Sequence, residues 1–158
     1  MYYIIALFFF IFPTMSYSQE NGTEEIKNVN YASVIMYHRF GDSRYPSTNI
    51  KKEQFQKHIN ELLKPKYSVI GIEQALQAIN NVKLIKDKSI VITIDDAYSS
   101  VFDYAWPIFK KHNLPFTLFV STDVIDNNTS GYMSWEEIRI LRDHGVTIGS
   151  QTKSHPHM

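Results

Sequence analysis

Ser89-Ile90-Val91-Ile92-Thr93-Ile94-Asp95-Asp96 is the stretch on which the reading of this chain turns. A run of β-branched residues without polar alternation predicts a strand covered on both faces. It ends in two adjacent carboxylates, which puts charge at the C-terminal edge of a buried strand, where α/β folds build their sites. Taken alone the pair has two readings. It is either the cap of the following helix, favoured by that helix's dipole, or a place to hold a metal.

Working outward, strand-like and helix-like segments alternate on both sides of this run, which predicts a parallel α/β sheet or barrel. Upstream, Ala32–Tyr37 reads as a strand. Phe55, Ile59, Leu62 and Leu63 form one apolar stripe on a helix that Pro65 ends. Tyr67–Ile72 reads as a further strand, followed by a short helix with Ala75, Leu76 and Ile79 on one face. Downstream, a helix carries Val101, Phe102, Ala105 and Phe109, and Pro107 is expected to break or kink it. Phe116–Val120 is the next strand. Ser134-Trp135-Glu136-Glu137 has the spacing of a capping box, opening a helix that Gly145 closes before a last strand, Val146–Ser150.

Composition bounds the function. The 158 residues are 44% hydrophobic and 14% aromatic, enough for one core and one domain. Lys+Arg and Asp+Glu balance at 16 each, so nothing in the charge attracts nucleic acid or an anionic membrane surface. There are no cysteines, which excludes disulfides, thiolate metal sites and a cysteine nucleophile. At the N-terminus, the apolar run Tyr2–Phe12 precedes Pro13 and the small residues Ser16 and Ser18, as in a cleavable export signal over 1–18. The run is shorter than the roughly 20 apolar residues of a stable span, so no membrane span is expected after cleavage. The expected location is secreted or periplasmic, with an uncleaved anchor as the alternative. Residues 19–30 are polar and read as a flexible lead-in, leaving 31–158 for the domain.

The second cluster is Ser150-Gln151-Thr152-Lys153-Ser154-His155-Pro156-His157, which leaves the last strand with two histidines. By itself it reads as plain surface or as imidazole ligands, which with carboxylates suit zinc or another first-row ion. Co-occurrence with Asp95-Asp96 at parallel strand ends favours a site. At these residues the chain resembles the polysaccharide deacetylases of the NodB-homology type, carbohydrate esterase family 4. Thr93-Ile94-Asp95-Asp96-Ala97-Tyr98 resembles the family's T-F-D-D-G-Y motif, and Ser150–Pro156 its S-H-T-x-x-H-P motif. Met36-Tyr37-His38, Phe116–Val120 and Met133-Ser134-Trp135-Glu136-Glu137-Ile138 are similar to three further family segments. The resemblance spans about residues 32–158 and implies the N-terminal part of an irregular (β/α) barrel, incomplete here.

What the resemblance implies is hydrolysis of N-acetyl groups on an amino-sugar polysaccharide such as poly-N-acetylglucosamine or a chitin-like glycan. The implied cofactor is a divalent metal, most commonly zinc. Asp95 would be the general base, while Asp96 and His155 would bind the metal. Gln151 stands where the family places another metal-binding histidine, and its neutral carbonyl is a poorer donor. His157, past Pro156, reads as surface. Ala97 replaces a glycine and is costly only if its φ is positive. His38 either faces the site from the first strand's end or is a structural histidine. The family's later motifs, including the general acid, are absent, so the alternative is a truncated, inactive remnant or a glycan-binding fragment. A haloacid-dehalogenase phosphatase would need D-x-D spacing, and a prenyl-transfer motif would need an acid at Ser99.

Overall fold

A computed structural model of the chain describes residues 27–156. The expected export signal, most of the lead-in and His157 lie outside the described residues. In chain order the first half contains β1 (Asn28–Val29), β2 (Ser33–Tyr37), β3 (Arg39–Phe40), β4 (Asn49–Ile50), α1 (Lys52–Leu62), β5 (Ser68–Ile70) and α2 (Ile72–Ile79). The second half contains β6 (Ile85–Lys86), β7 (Ser89–Ile94), a π-helical turn (Val101–Ala105), α3 (Trp106–Lys111), β8 (Thr117–Val120), α4 (Thr122–Asp126), α5 (Trp135–Asp143) and β9 (Thr147–Ser150).

The β-branched run is the central strand. All six residues of β7 are buried, as a parallel strand covered on both faces requires. Ile90 and Val91 pair in parallel with both β2 and β5, while Thr93 and Ile94 pair with both β2 and β8. One edge of β7 is therefore lined by β2, and the other is shared by β5 below and β8 above. β9 continues the sheet beyond β8, also in parallel. Among the described residues this gives five parallel strands in an open sheet. The expected alternation of parallel strands and helices is what is observed.

The helices pack where the apolar stripes direct them, with two corrections. Phe55, Ile59 and Leu62 of α1 are buried, but Leu63 follows the helix as its C-cap and is exposed. In α2 the buried residues are Ala75 and Ala78, whereas Leu76 and Ile79 are exposed. The small side chains let this helix lie close to the sheet, against Ile70 and Val91. The main core gathers Phe55, Phe109, Ile92, Ile94, Leu118 and Leu141, each essentially without solvent access. Phe55 sits at its centre, edge-on to Phe40 at 4.7 Å and to Phe109 at 5.3 Å.

Pro107 acts on the backbone in an unexpected way. It has no N–H to give to the preceding turn. The Trp106 N–H donates to the Val101 carbonyl, five residues back, and the extra residue is absorbed as a π-helical turn. Pro107 then lies in the first turn of α3, where a missing donor costs nothing. The lead-in also ends earlier than expected, because Asn28–Val29 pairs antiparallel with Ile85–Lys86.

Candidate active site

Parallel pairing brings the sequence-predicted residues to one end of the sheet. Tyr37 and Ile94 are register partners, so His38 and Asp95, the next residue of each strand, stand side by side. The Asp95 N–H donates to the Tyr37 carbonyl at 2.9 Å, extending the β2–β7 ladder by one bond. Across the sheet, the Gln151 N–H donates to the Val120 carbonyl at 2.9 Å and extends β8–β9 likewise. His38, Asp95, Asp96, Gln151 and His155 thus all follow C-terminal strand ends.

The two aspartates face different partners. Asp95 Oδ2 lies 3.9 Å from His38 Nε2, and Asp96 Oδ1 lies 3.8 Å from His155 Nε2. Burial pushes the Asp95 carboxyl above the ordinary carboxylate range; His38 opposes this, Asp96 adds to it and His155 opposes it. Desolvation is the largest cause, and it makes the Asp95 carboxylate a stronger base. The turn that separates the pair is strained: Asp96 has φ 71° and Ala97 has φ 51°. The buried Ala97 therefore falls in the costly case, on the order of 1 kcal/mol for an L-residue in the left-handed region.

This turn is held from outside. The Ala97 carbonyl accepts from the Met133 N–H at 2.9 Å, and the Ser99 N–H donates to the Gly131 carbonyl at 3.0 Å. The Tyr98 and Tyr132 rings pack at a 37° tilt with centroids 4.7 Å apart, and the Arg39 guanidinium lies over the Tyr98 ring at 3.5 Å and the Tyr45 ring at 3.9 Å. The segment 131–133 thus serves as a clip for the aspartate turn. The capping box forms as predicted, with the Glu137 N–H donating to Ser134 Oγ at 3.2 Å and the Ser134 N–H donating to Glu137 Oε2 at 2.7 Å. A cleft of about 330 Å³ opens beside His38, bordered by Arg39, Asn49 and His58. Sequence reasoning missed the clip and the arginine sandwich; neither leaves a local signal, because each joins residues far apart in the chain.

The chemistry of the donor set decides how well a metal fits. Asp96 Oδ1 and His155 Nε2 are close enough to chelate one divalent cation after a small adjustment. Gln151 does not point its oxygen there: Oε1 accepts from the Asp96 N–H at 3.1 Å, and Nε2 faces His155 Nε2 at 2.9 Å. Among the described residues no three His, Asp or Glu side chains gather as a metal site. The chain therefore offers two fitting donors, Asp96 and His155, and a third side chain that does not fit in its observed orientation.

The parallel α/β sheet, with paired acids at the end of its central strand and a His-bearing turn two strands away, has the fold of solved deacetylases. The family model described as polysaccharide deacetylase matches residues 84–158. The Bacillus subtilis (strain 168) protein YxkH, whose name provisionally places it among polysaccharide deacetylases, is 25% identical over 122 residues, 77% of this chain and 42% of its own length. IcaB from Ammonifex degensii superposes with a TM-score of 0.68 at 26% identity, covering 76% of this chain and 52% of that one. The Streptococcus pyogenes deacetylase PplD, solved in complex with acetate, shares the fold with a TM-score of 0.70 at 18% identity, over 84% of this chain and 59% of its own. Over these segments the chain is similar to the polysaccharide deacetylases in sequence and in fold. It spans about half the length of the relatives it matches.

Proposed function

We propose that this chain carries the paired-carboxylate part of a site that hydrolyses N-acetyl groups on an amino-sugar polysaccharide, such as poly-N-acetylglucosamine or a chitin-like glycan. The observation that carries the reading is the division of the pair, with Asp95 facing His38 and Asp96 facing His155. Adjacent carboxylates with one shared environment would do one job. Two environments allow two jobs.

Asp95, its basicity raised by burial, accepts a proton from a water molecule as that water's oxygen bonds to the amide carbonyl carbon. The carbon–nitrogen bond then breaks, acetate leaves, and the freed amine takes up a proton. Asp96 and His155 would hold a divalent cation, zinc being suited to such donors, and it would acidify the water and polarise the carbonyl. The description of the matching family model, the name of the YxkH relative and the cleft beside His38 support an acetylated polysaccharide as partner. Export is part of the same proposal, since the Tyr2–Phe12 run would deliver the protein to where such polymers lie. Among the described residues no helix is long and apolar enough to cross a membrane.

The test is acetate release from a poly-N-acetylglucosamine oligomer by the natural protein and its Asp95→Asn variant. Loss of a positioned general base should lower the rate by about 10²–10⁴-fold. Equal release from both would end the role given to Asp95. Undiminished glycan binding with no release from the natural protein would favour a binding fragment, a reading that the Gln151 orientation also supports.

A further inference from the structure

The Gln151 amide is fixed from both ends, and its orientation follows from the chemistry of its neighbours. The Asp96 N–H is a donor, so the atom 3.1 Å from it must be the oxygen. The NH₂ group is then left facing His155 Nε2 at 2.9 Å, where it can only donate. The ring nitrogen therefore accepts through its lone pair, and the His155 proton sits on Nδ1. The backbone allows little freedom to rearrange. The Gln151 N–H is tied to Val120, its carbonyl accepts from Ser121 Oγ at 3.1 Å, and the His155 N–H donates to Thr152 Oγ1 at 3.1 Å.

The lone pair that Gln151 covers is the one His155 would turn to a cation held with Asp96, since the same Nε2 lies 3.8 Å from Asp96 Oδ1. We infer that Gln151 is a built-in competitor for the cation: its amide N–H caps His155 Nε2, so the metal-free site is already satisfied and a divalent ion must displace that hydrogen bond to load. The inference rests on Asp96 and His155 being the cation's donors. It differs from the view that Gln151 is merely a weak third ligand, and the two views predict opposite signs for one substitution. Truncating a ligand weakens binding. Truncating a competitor strengthens it.

Cobalt(II) titrations of the 158-residue chain, read by the visible absorption of the bound ion and by calorimetry, would compare wild type with Gln151→Ala and Gln151→His. Freeing His155 from one neutral hydrogen bond should tighten binding in Gln151→Ala about two- to tenfold. Gln151→His removes the same cap and adds an imidazole donor, so it should bind more tightly still. Weaker or equal binding by Gln151→Ala would overturn the inference, as would no cobalt binding by any of the three. A second readout needs only the wild-type chain. Nitrogen-15 shifts of the metal-free His155 ring should show the proton on Nδ1, and a ring protonated on Nε2 would overturn the assignment. Loss of acetate release by the natural protein would bear on the proposed reaction and leave these binding results standing.

Discussion

Replacing Gly149 with alanine tests how closely β8 and β9 are packed below the candidate site. Gly149 is the register partner of Phe119, and a Cβ built on it would lie 2.5 Å from both Cδ1 and Cε1 of that ring. Comfortable carbon–carbon contacts begin near 3.5 Å, so the ring must move by roughly 1 Å or leave its rotamer. Overpacking of this size costs about 1–3 kcal/mol. The φ of Gly149 is outside the left-handed region, so removing a glycine from a strand returns about 0.5–1 kcal/mol. The net expectation is a loss of about 1.2 kcal/mol, and with a urea slope of about 1.5 kcal/mol/M the midpoint should fall by about 0.8 M. The decisive comparison is the same change made in a Phe119→Ala background, where the clash is gone and Gly149→Ala should be neutral or slightly stabilising. An equal cost in both backgrounds, or no cost in the wild type, would refute the reasoning.

Asp95→Asn should also change stability. Burial raises the Asp95 pKa in the folded chain, so the native state holds more protons than the unfolded one as pH rises from the ordinary value of 3.8. Stability is then lost as the pH climbs through the folded value, and the deficit persists at neutral pH. In chelator, the asparagine variant should be the more stable at pH 7, with the difference shrinking in acid; a variant less stable at pH 7 would contradict the desolvation account. Export can be checked by N-terminal sequencing of the natural protein. Material recovered outside the cytoplasm should begin near Gln19, and retention of Met1 on cytoplasmic protein would remove export from the proposal.

The parallel α/β character was legible because β7 carries its signal in composition alone: six buried residues in a row leave no second face to interpret. The Ser134 capping box was legible for a similar reason, since it is complete within four residues. α2 misled because size was taken for burial. Leu76 and Ile79 look like core residues, yet the fully buried positions of the helix are the alanines Ala75 and Ala78, with Ile72 partly buried beside them. His38 was ambiguous as a sequence position and becomes a neighbour of Asp95 only through the Tyr37–Ile94 register, which one strand cannot reveal. Gln151 could be identified as a departure from a pattern, but the sequence does not say which end of its amide faces His155. That depends on the Asp96 N–H, freed by a left-handed turn 55 residues away in the chain.

The fork in which β5 and β8 share one edge of β7 has a consequence for the order of assembly. Closing the Ser68–Ser89 or Thr93–Thr117 pairing encloses less than half the chain that the Ser33–Ile90 pairing must enclose. Each doubling of a loop adds about 0.6 kcal/mol of closure entropy, so β7 gains its neighbours on the forked edge more cheaply than it gains β2. The carboxylate turn would then be anchored on the β8 side first, and His38 would arrive last, when β2 docks. Folding-rate measurements on β2 variants should place that step after the main barrier.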